Sequence, residues 1–403
     1  MRNFTVIALL GAVAVAAAQS PYISQVYDFC PAPGQFVNEV PEYESGFGYD
    51  DMLEIASEAL CGSANAGMVS LGSFGGYVVF GFDHPVVNRH GYYDFKINGN
   101  AVISDTQTGG GSCEPGIVMV SVDANGNGLP DDEWYELAGS DYKAADTKYK
   151  YTVTYHRPDA DKEPVKDPNR KYITDAEYIM WTDSEGATGY VASNSSHTQS
   201  YWPEWLNDSP TLTFSGTRLA PNGESLNESG TNYLLKMLDW GYADNEPNAS
   251  AKGFNLDWAV DSKGIQVLLE HVDFIRVHTA TLQQCGWLGE ASTEITGAVD
   301  LHPDYAYSPE WPDNPEDPNA VRPGAGISTV AATGTALRVS RISSEGCYSV
   351  GTENRATAML LNTDGRTVRR FTLESGHNIL DLSQLPKGIY ILTVPGTAVR
   401  VAR

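Results

Sequence analysis

The chain has 403 residues, with 51 acidic and 26 basic side chains and a net charge of −25. This charge argues against binding to nucleic-acid backbones or anionic membrane surfaces, because both repel an acidic protein. A hydrophobic content of 41% is typical of a globular chain, and the 22 Tyr and 39 Gly favour β structure.

Residues 1–18 have the three parts of a secretory signal peptide. Arg2 supplies the positive start, residues 6–15 form an apolar run, and Ala16 and Ala18 mark a small-residue cleavage site. The run is shorter than the roughly 20 residues that span a bilayer, and no other stretch approaches that length. We therefore expect a secreted mature chain that begins near Gln19 and has no transmembrane segment. A buried N-terminal helix is the alternative.

Residues 19–307 form the predicted main domain. A helix is expected at residues 51–59, where Met52, Ile55, Ala56 and Ala59 share one face. The remainder is rich in β-strand patterns separated by Gly, Asn and Asp turns. Strands are predicted at residues 77–82, 93–97, 117–122, 149–155, 265–269 and 274–278. This density of strands predicts an all-β main domain, a jelly-roll-like β-sandwich.

An oxygen-rich loop follows the strand at residues 117–122. Its side chains match positions 1, 3, 5 and 9 of the calcium loop of EF-hand and thrombospondin-like repeats, and Gly128 takes position 6. Trp134 stands at position 12 in place of the usual bidentate Glu, so Glu133 or Glu136 must complete the shell. The predicted ligands of a structural Ca²⁺ are Asp123, Asn125, Asn127, Asp131 and Glu133. A solvated turn between strands is the alternative.

A second oxygen-rich stretch, which contains Asp244 and Asp257, is a weaker candidate cation site. Asp257 alternates with apolar residues, which predicts that it faces away from the core. No catalytic motif of a known kind occurs, because the nucleophile elbow, the zinc-binding His-Glu-x-x-His helix and the phosphate-binding loop are all absent from the sequence. We therefore expect a protein that is not an enzyme.

Aromatic residues are the candidate ligand contacts. Three rings lie within five residues, after His197, and another follows Gly286. Exposed aromatic rings stack on sugars, corrins or peptides, because they offer a wide contact area. The predicted ligand-binding residues are Tyr201, Trp202, Trp205 and Trp287. Packing of these rings in the core is the alternative.

Five cysteines are present, and four of them, Cys30, Cys61, Cys113 and Cys285, lie in the main domain. Export permits disulfides, and four cysteines allow three pairings. Free buried thiols are the alternative.

Residues 308–334 are a predicted linker. Pro309, Pro312, Pro315 and Pro318 recur every three residues, the period of a polyproline II helix, which indicates a semi-rigid spacer. In residues 335–403 short apolar runs alternate with turn signals, which predicts a small all-β module of five or six strands.

The C-terminal module has a recognisable pattern. Asn362-x-Asp364-Gly365-Arg366 is followed by Ile-Leu-Asp-Leu-Ser-Gln-Leu-Pro-Lys-Gly-Ile-Tyr and a basic end. This pattern resembles the C-terminal sorting domain of type IX secretion in Bacteroidetes, although Arg400 and Arg403 stand where lysines are more usual. The resemblance implies an immunoglobulin-like β-sandwich in residues 335–403, an interaction with the type IX secretion machinery, and attachment to the cell outer membrane. An ordinary accessory domain is the alternative.

The main domain carries a second resemblance. Stretches such as VVFGFDHPVVN, SCEPGIVMVSVDANGNGLPDDEWYELAGSDY and WGYADN are similar to a family of Bacteroidetes cell-surface proteins over most of residues 25–303. Some members are similar to proteins that accompany corrinoid uptake systems, which implies a vitamin B12-like ligand. We expect a surface-attached binding protein for a corrinoid or a glycan. The alternatives are a secreted hydrolase acting on glycans or peptides and a structural or adhesive module.

Overall fold

The computed structural model describes residues 19–206, 209–308, 337–343, 347–352, 355–362, 366–394 and 397–403. The chain divides into two units, Met1–Tyr307 and Ser308–Arg403. The predicted signal peptide, residues 309–334 of the predicted linker and the Asp364-Gly365 turn lie outside the described residues.

The first unit contains twenty strands and one α-helix, α1 (Tyr49–Leu60), in its described part. The first ten strands are β1 (Gln25–Cys30), β2 (Val69–Ser70), β3 (Tyr77–Gly81), β4 (Val86–Val87), β5 (Phe95–Asn98), β6 (Val102–Asp105), β7 (Gly110–Ser112), β8 (Gly116–Ser121), β9 (Trp134–Leu137) and β10 (Lys148–His156). The next ten are β11 (Ile173–Asp183), β12 (Thr188–Asn194), β13 (Thr211–Arg218), β14 (Gly223–Ser225), β15 (Tyr233–Lys236), β16 (Ala259–Val260), β17 (His271–Val272), β18 (Phe274–Thr279), β19 (Glu294–Ile295) and β20 (Gly297–Asp300). Short 3-10 helices lie at Glu204–Leu206, Leu256–Trp258 and Gly286–Leu288.

These strands form antiparallel sheets. The largest has the order β1-β3-β18-β8-β9-β16, and two four-stranded sheets have the orders β12-β11-β10-β13 and β14-β15-β7-β6. Three two-stranded ribbons, β17-β4, β19-β2 and β20-β5, complete the unit. The prediction of an all-β protein of sandwich type is confirmed.

The core of the first unit is built on the central strands of the six-stranded sheet. Every residue of β3 except Tyr77, of β8 except Met119 and of β18 except Arg276 is buried. Burial on both faces explains the nearly continuous apolar sequences of β3 and β8, whereas β18 also buries the polar residues His278 and Thr279. Helix α1 buries one face through Met52, Ala56 and Leu60, spaced by four residues.

The sheet that contains β10 and β13 packs against the six-stranded sheet. The ring of Phe214 on β13 meets that of Tyr77 on β3, with centroids 6.4 Å apart. Close approach also requires Gly216, because a Cβ there would lie 2.6 Å from Nε2 of the buried His278. Aromatic packing therefore joins the two sheets into one core.

The second unit has seven strands in its described part. They are β21 (Leu337–Ser343), β22 (Cys347–Thr352), β23 (Ala356–Asn362), β24 (Thr367–Leu373), β25 (Gly376–Asp381), β26 (Ile389–Val394) and β27 (Thr397–Ala402). They form two antiparallel sheets, β21-β22-β25 and β24-β23-β26-β27. Buried side chains from both sheets, including Val350, Leu360 and Leu392, share one core. This is a small sandwich-type arrangement, as expected from the sequence, although its described part has seven strands rather than the five or six predicted.

Most of the predicted elements of the first unit are present. The helix and the strands at 77–82, 93–97, 117–122, 149–155 and 274–278 are confirmed, with shifts of one or two residues for most ends. The strand predicted at 265–269 is wrong, because these residues form a loop in which Ile265 and Leu268 are exposed.

The thiols of Cys30, Cys61, Cys113 and Cys285 are free, which matches the free-thiol alternative. Burial raises the pKa of both Cys113 and Cys285 to about 12. No helix in the described part of the chain is both long and apolar enough to cross a membrane.

Candidate functional site

Loops and strand residues of the first unit line a pocket of about 320 Å³. This volume is at the lower end of the range for small-molecule sites. Its lining combines apolar, aromatic and polar side chains. The residues are Gln35, Phe36, Val40, Met68, Asn100, Ser112, Glu114, Ser196, His197, Leu235, Trp287, Leu288, Ser292 and Glu294.

Two of the lining residues are glutamates that distant parts of the chain bring together. Glu114 lies between β7 and β8, and Glu294 begins β19, where it pairs with Ser70 of β2. One carboxylate oxygen of each, and one of Asp244, all lie within 4.8 Å of one another. A single small region therefore holds three acidic groups.

Asp244 does not line the pocket, and backbone N–H groups hold its carboxylate in place. Its Oδ1 accepts hydrogen bonds from the backbone N–H groups of Asn100 (2.7 Å) and Ala101 (2.8 Å), and its Oδ2 accepts one from Glu294 (2.9 Å). Gly99 permits this approach, because a Cβ there would lie 2.3 Å from Oδ1. Asp244 thus joins three segments of the chain behind the two glutamates.

Glu114 and Glu294 accept hydrogen bonds mainly from serines. Oε1 of Glu294 accepts from the hydroxyls of Ser70 (3.0 Å) and Ser292 (2.7 Å). Glu114 accepts from the backbone N–H of Ser292 (3.1 Å) and the hydroxyl of Ser112 (3.2 Å). Donors of this kind favour a charged carboxylate.

Burial opposes the ionisation of these acids. It raises the pKa of Glu294 to about 7. Burial, followed by repulsion from Glu294 and Asp244, raises the pKa of Glu114 well above its usual range. The pKa of Asp244 is raised by burial and by Glu294, against the effect of its backbone donors. Glu294 therefore changes charge near neutral pH, and Glu114 keeps its proton above the usual range of a glutamate.

An exposed indole lines the same pocket as Glu114 and Glu294. Trp287 belongs to the 3-10 helix Gly286–Leu288 and is 53% exposed. Gly286 and Gly289 flank it with φ of 60° and 87°, left-handed values that a side chain disfavours. The rings of Phe36 and His197 meet edge to face, with centroids 4.5 Å apart. Aromatic surface therefore accompanies the carboxylates in the same pocket.

The structure separates the predicted aromatic ligand contacts. Trp287 lines the pocket, whereas Tyr201, Trp202 and Trp205 are buried, with exposures of 0%, 2% and 8%. Trp205 stacks on Phe29, with centroids 5.9 Å apart. The prediction of an exposed ring surface at residues 201–205 is corrected, because these rings fill the core.

The predicted calcium loop joins β8 and β9 and bonds largely to itself. Asp123 accepts from the backbone N–H groups of Asn127 (3.0 Å) and Gly128 (2.9 Å). The side-chain amides of Asn125 and Asn127 both donate to Asp131, at 3.0 and 3.1 Å. Four of the five predicted ligands thus converge.

Glu133, the fifth predicted ligand, does not join them, because its carboxylate accepts from the hydroxyl of Tyr135 at 3.1 Å. Asp132 lies closer to the loop, where it accepts from the backbone N–H of Ala124 at 3.0 Å. Two carboxylates and two amides that can turn their oxygens inward are suitable donors for a hard cation. The residues present therefore fit Ca²⁺.

The weaker candidate cation stretch does not form one site. Asp244 lies behind the pocket, whereas Asp257 is buried elsewhere, where it accepts from Nδ1 of His90 (2.7 Å) and the backbone N–H of Gly91 (2.9 Å). The prediction that Asp257 faces away from the core is therefore wrong. Its partners satisfy the hydrogen-bonding capacity of a buried carboxyl group.

Sequence reasoning did not select Glu114 or Glu294 as site residues. The only available signal was a charged residue within a stretch of small or apolar residues, Cys113-Glu114-Pro115 and Thr293-Glu294-Ile295. Comparisons with family models and with curated proteins give no match. A proposal for the function of this protein therefore rests on the geometry of the pocket.

Proposed function

We propose that the first unit is a non-enzymatic binding protein that holds a small polar ligand in the pocket beside Trp287. One observation carries this proposal. A concave site of about 320 Å³ combines an indole that is 53% exposed with two carboxylates that line the same space. Pockets with apolar walls and a few convergent polar groups are the usual form of ligand sites.

A glycan suits this pocket better than a corrinoid. The flat apolar face of a sugar ring can lie on the indole of Trp287, while its hydroxyl groups donate to Glu114 and Glu294. A corrinoid exceeds the volume of about 320 Å³ and would bind only at the mouth. We therefore favour one or two sugar rings as the ligand.

The cell surface is the proposed location. The signal-peptide pattern in residues 1–18 and the resemblance of residues 335–403 to a type IX sorting domain both support secretion and outer-membrane attachment. The secretion machinery would bind the second unit, and the ligand would bind the first. A purely adhesive role would not require a pocket with a carboxylate pair.

Removal of the indole tests the binding site. We expect Trp287→Ala to weaken sugar binding about tenfold or more, because the stacked contact area is lost. The measurement is isothermal titration calorimetry of glucose, galactose, glucosamine, N-acetylglucosamine, cellobiose and cyanocobalamin, each tested separately. Tyr190→Ala is the matched control, since Tyr190 is 38% exposed and lies outside the pocket lining. Equal affinities of the two variants for every compound would contradict the proposal.

A second candidate function is glycoside hydrolysis, which the carboxylate pair favours. Oxygens of Glu114 and Glu294 lie within 4.8 Å, and the carboxyl groups of retaining glycosidases are about 5–5.5 Å apart. An activity assay with cellobiose separates hydrolysis from binding. Release of reducing sugar from cellobiose, lost in Glu114→Gln, would assign an enzyme rather than a binding protein.

We also propose that Ca²⁺ stabilises the loop between β8 and β9, held by Asp123, Asn125, Asn127 and Asp131. Because the ion binds the folded state, chelation with EGTA should lower the melting temperature. At a Ca²⁺ concentration about 100 times Kd, the stabilisation is about 2.7 kcal/mol, which corresponds to several degrees. Replacing Asp123 and Asn125 together by Ala should remove this sensitivity. Differential scanning calorimetry measures the effect, and an unchanged melting temperature of the unaltered protein after chelation would contradict it.

A further inference from the structure

The charge of the pocket lining restricts the ligand further. Glu114 and Glu294 are its acidic members, and none of the described residues that line it is Lys or Arg. An anionic ligand would find no counter-ion there and would face two acidic groups. The pocket is therefore built for a neutral or positively charged ligand.

The hydrogen bonds of the acidic groups argue against a metal ion held by all three. Both oxygens of Asp244 are engaged by backbone N–H donors, three in total. A metal ligated by Asp244 would have to displace these donors, which join the segments that shape the site. Glu114 and Glu294 remain as the pair that a ligand can reach.

This pair retains acceptor capacity. A carboxylate offers about four lone-pair sites, and Glu114 accepts from one backbone N–H and one hydroxyl. A primary ammonium group has three N–H donors and no acceptor. It can therefore bond to both glutamates at once without displacing Asp244.

The aromatic residues that line the pocket also favour a positively charged ligand. A cation within about 6 Å of an indole face is attracted by the negative face of the ring. Trp287 lines the same pocket as the two glutamates, and Phe36 adds a second ring to the lining. Carboxylates next to an aromatic wall form a site suited to an ammonium group on a partly apolar body.

We propose that the ligand of this pocket carries a primary ammonium group, which bonds to Glu114 and Glu294 while the body of the ligand lies on Trp287. This inference rests on the proposed binding function. It names the chemical class of the ligand, since both an amino sugar and an alkylamine carry a primary ammonium group.

The pH dependence of binding follows from the ionisation of Glu294. As the pH rises from 5.5 to 7, Glu294 loses its proton in a growing fraction of molecules, because burial raises its pKa to about 7. Ammonium binding should tighten over this range. Asp244 and Glu290 are further titratable neighbours of Glu294.

The test compares sugars that differ in charge, by isothermal titration calorimetry at pH 7. We expect glucosamine to bind about tenfold more tightly than glucose or N-acetylglucosamine, because its ammonium makes charge-assisted hydrogen bonds. Glu114→Gln and Glu294→Gln should each reduce this preference to less than threefold. Glu58→Gln is the control, since Glu58 is exposed on α1. Circular dichroism establishes that each variant is folded.

The outcomes separate this inference from the proposed function. Equal binding of charged and neutral sugars, lost in Trp287→Ala, would overturn the inference and leave the binding function intact. Failure of all sugars and of putrescine to bind would overturn both. Putrescine binding as tightly as glucosamine would support the ammonium class and assign an alkylamine as its source. Binding of CaCl₂ that is lost in Glu114→Gln, without glucosamine binding, would overturn the inference in favour of a metal ion.

Discussion

Trp202→Ala is expected to lower the free energy of unfolding of the first unit by about 3–5 kcal/mol. Trp202 is 2% exposed and belongs to a core cluster with Phe74, Tyr155 and Phe214. Its removal leaves a cavity among aromatic side chains that also pack against other partners and cannot all close the space. Urea denaturation followed by circular dichroism measures the change.

The matched control is Trp287→Ala, since both tryptophans are ligand contacts predicted from the sequence. Trp287 is 53% exposed, so its removal should change the free energy of unfolding by less than about 1 kcal/mol. Trp202→Phe should cost less than Trp202→Ala, because the indole N–H of Trp202 meets no acceptor among the described residues. Similar losses of unfolding free energy in Trp202→Ala and Trp287→Ala would contradict the assignment of Trp202 to the core and Trp287 to the surface.

Glu290→Gln is expected to remove a large part of the pH dependence of stability. Glu290 is 4% exposed, and one of its oxygens has no hydrogen-bond partner among the described residues. The other accepts from the backbone N–H of Gln35 at 2.5 Å. Burial raises the pKa of Glu290 to about 8, so the folded protein keeps a proton that the unfolded chain releases above about pH 4.5.

The sign of the effect follows from this difference. Below about pH 4.5 the proton is bound in both states, and the contribution of Glu290 to stability is fully present. As the pH rises towards 8, unfolding releases the proton, and the free energy of unfolding falls by roughly 3–5 kcal/mol in total. Glutamine has the same shape and does not titrate, so the variant should lose this decline.

The measurement is urea denaturation at pH 5, 6, 7 and 8. Glu58→Gln provides the control, because Glu58 is exposed on α1 and its replacement should leave the slope unchanged. Glu136 and Asp94 are also buried acids, and burial raises their pKa to about 7 and about 6. The free energy of unfolding of Glu290→Gln is therefore expected to keep a residual dependence on pH. A slope identical to that of the unaltered protein would contradict the assignment to Glu290.

The fold class could be predicted because it depends on local patterns. The apolar run at 77–82 and the alternating residues at 274–278 became the adjacent strands β3 and β18, as their β-branched and aromatic content indicated. The run at 265–269 has a similar composition but forms a loop, with Ile265 and Leu268 more than half exposed. Only Gln266 of this run pairs, in an isolated bridge with Val260 of β16. A strand needs a partner along its whole length, and no local pattern shows whether one is available.

The candidate site could be predicted only in part. Trp287 was selected from the sequence, together with three rings that fill the core, because aromatic residues suit both environments. Glu114 and Glu294 are 180 positions apart in the chain, and only the tertiary fold brings their oxygens within 4.8 Å. The predicted calcium loop is easier to recognise, since its four converging side chains lie within nine consecutive residues.

The central claim is that a ligand occupies the pocket beside Trp287. The most direct measurement is fluorine NMR of protein labelled with 5-fluorotryptophan, in which the eight tryptophans give separate resonances and Trp287→Phe assigns one of them. Titration with glucosamine, and with each neutral sugar in turn, should shift the Trp287 resonance in a saturable way for at least one compound. The resonances of the buried Trp202 and Trp205 should stay in place. A Trp287 resonance that does not move with any of these compounds would contradict the account.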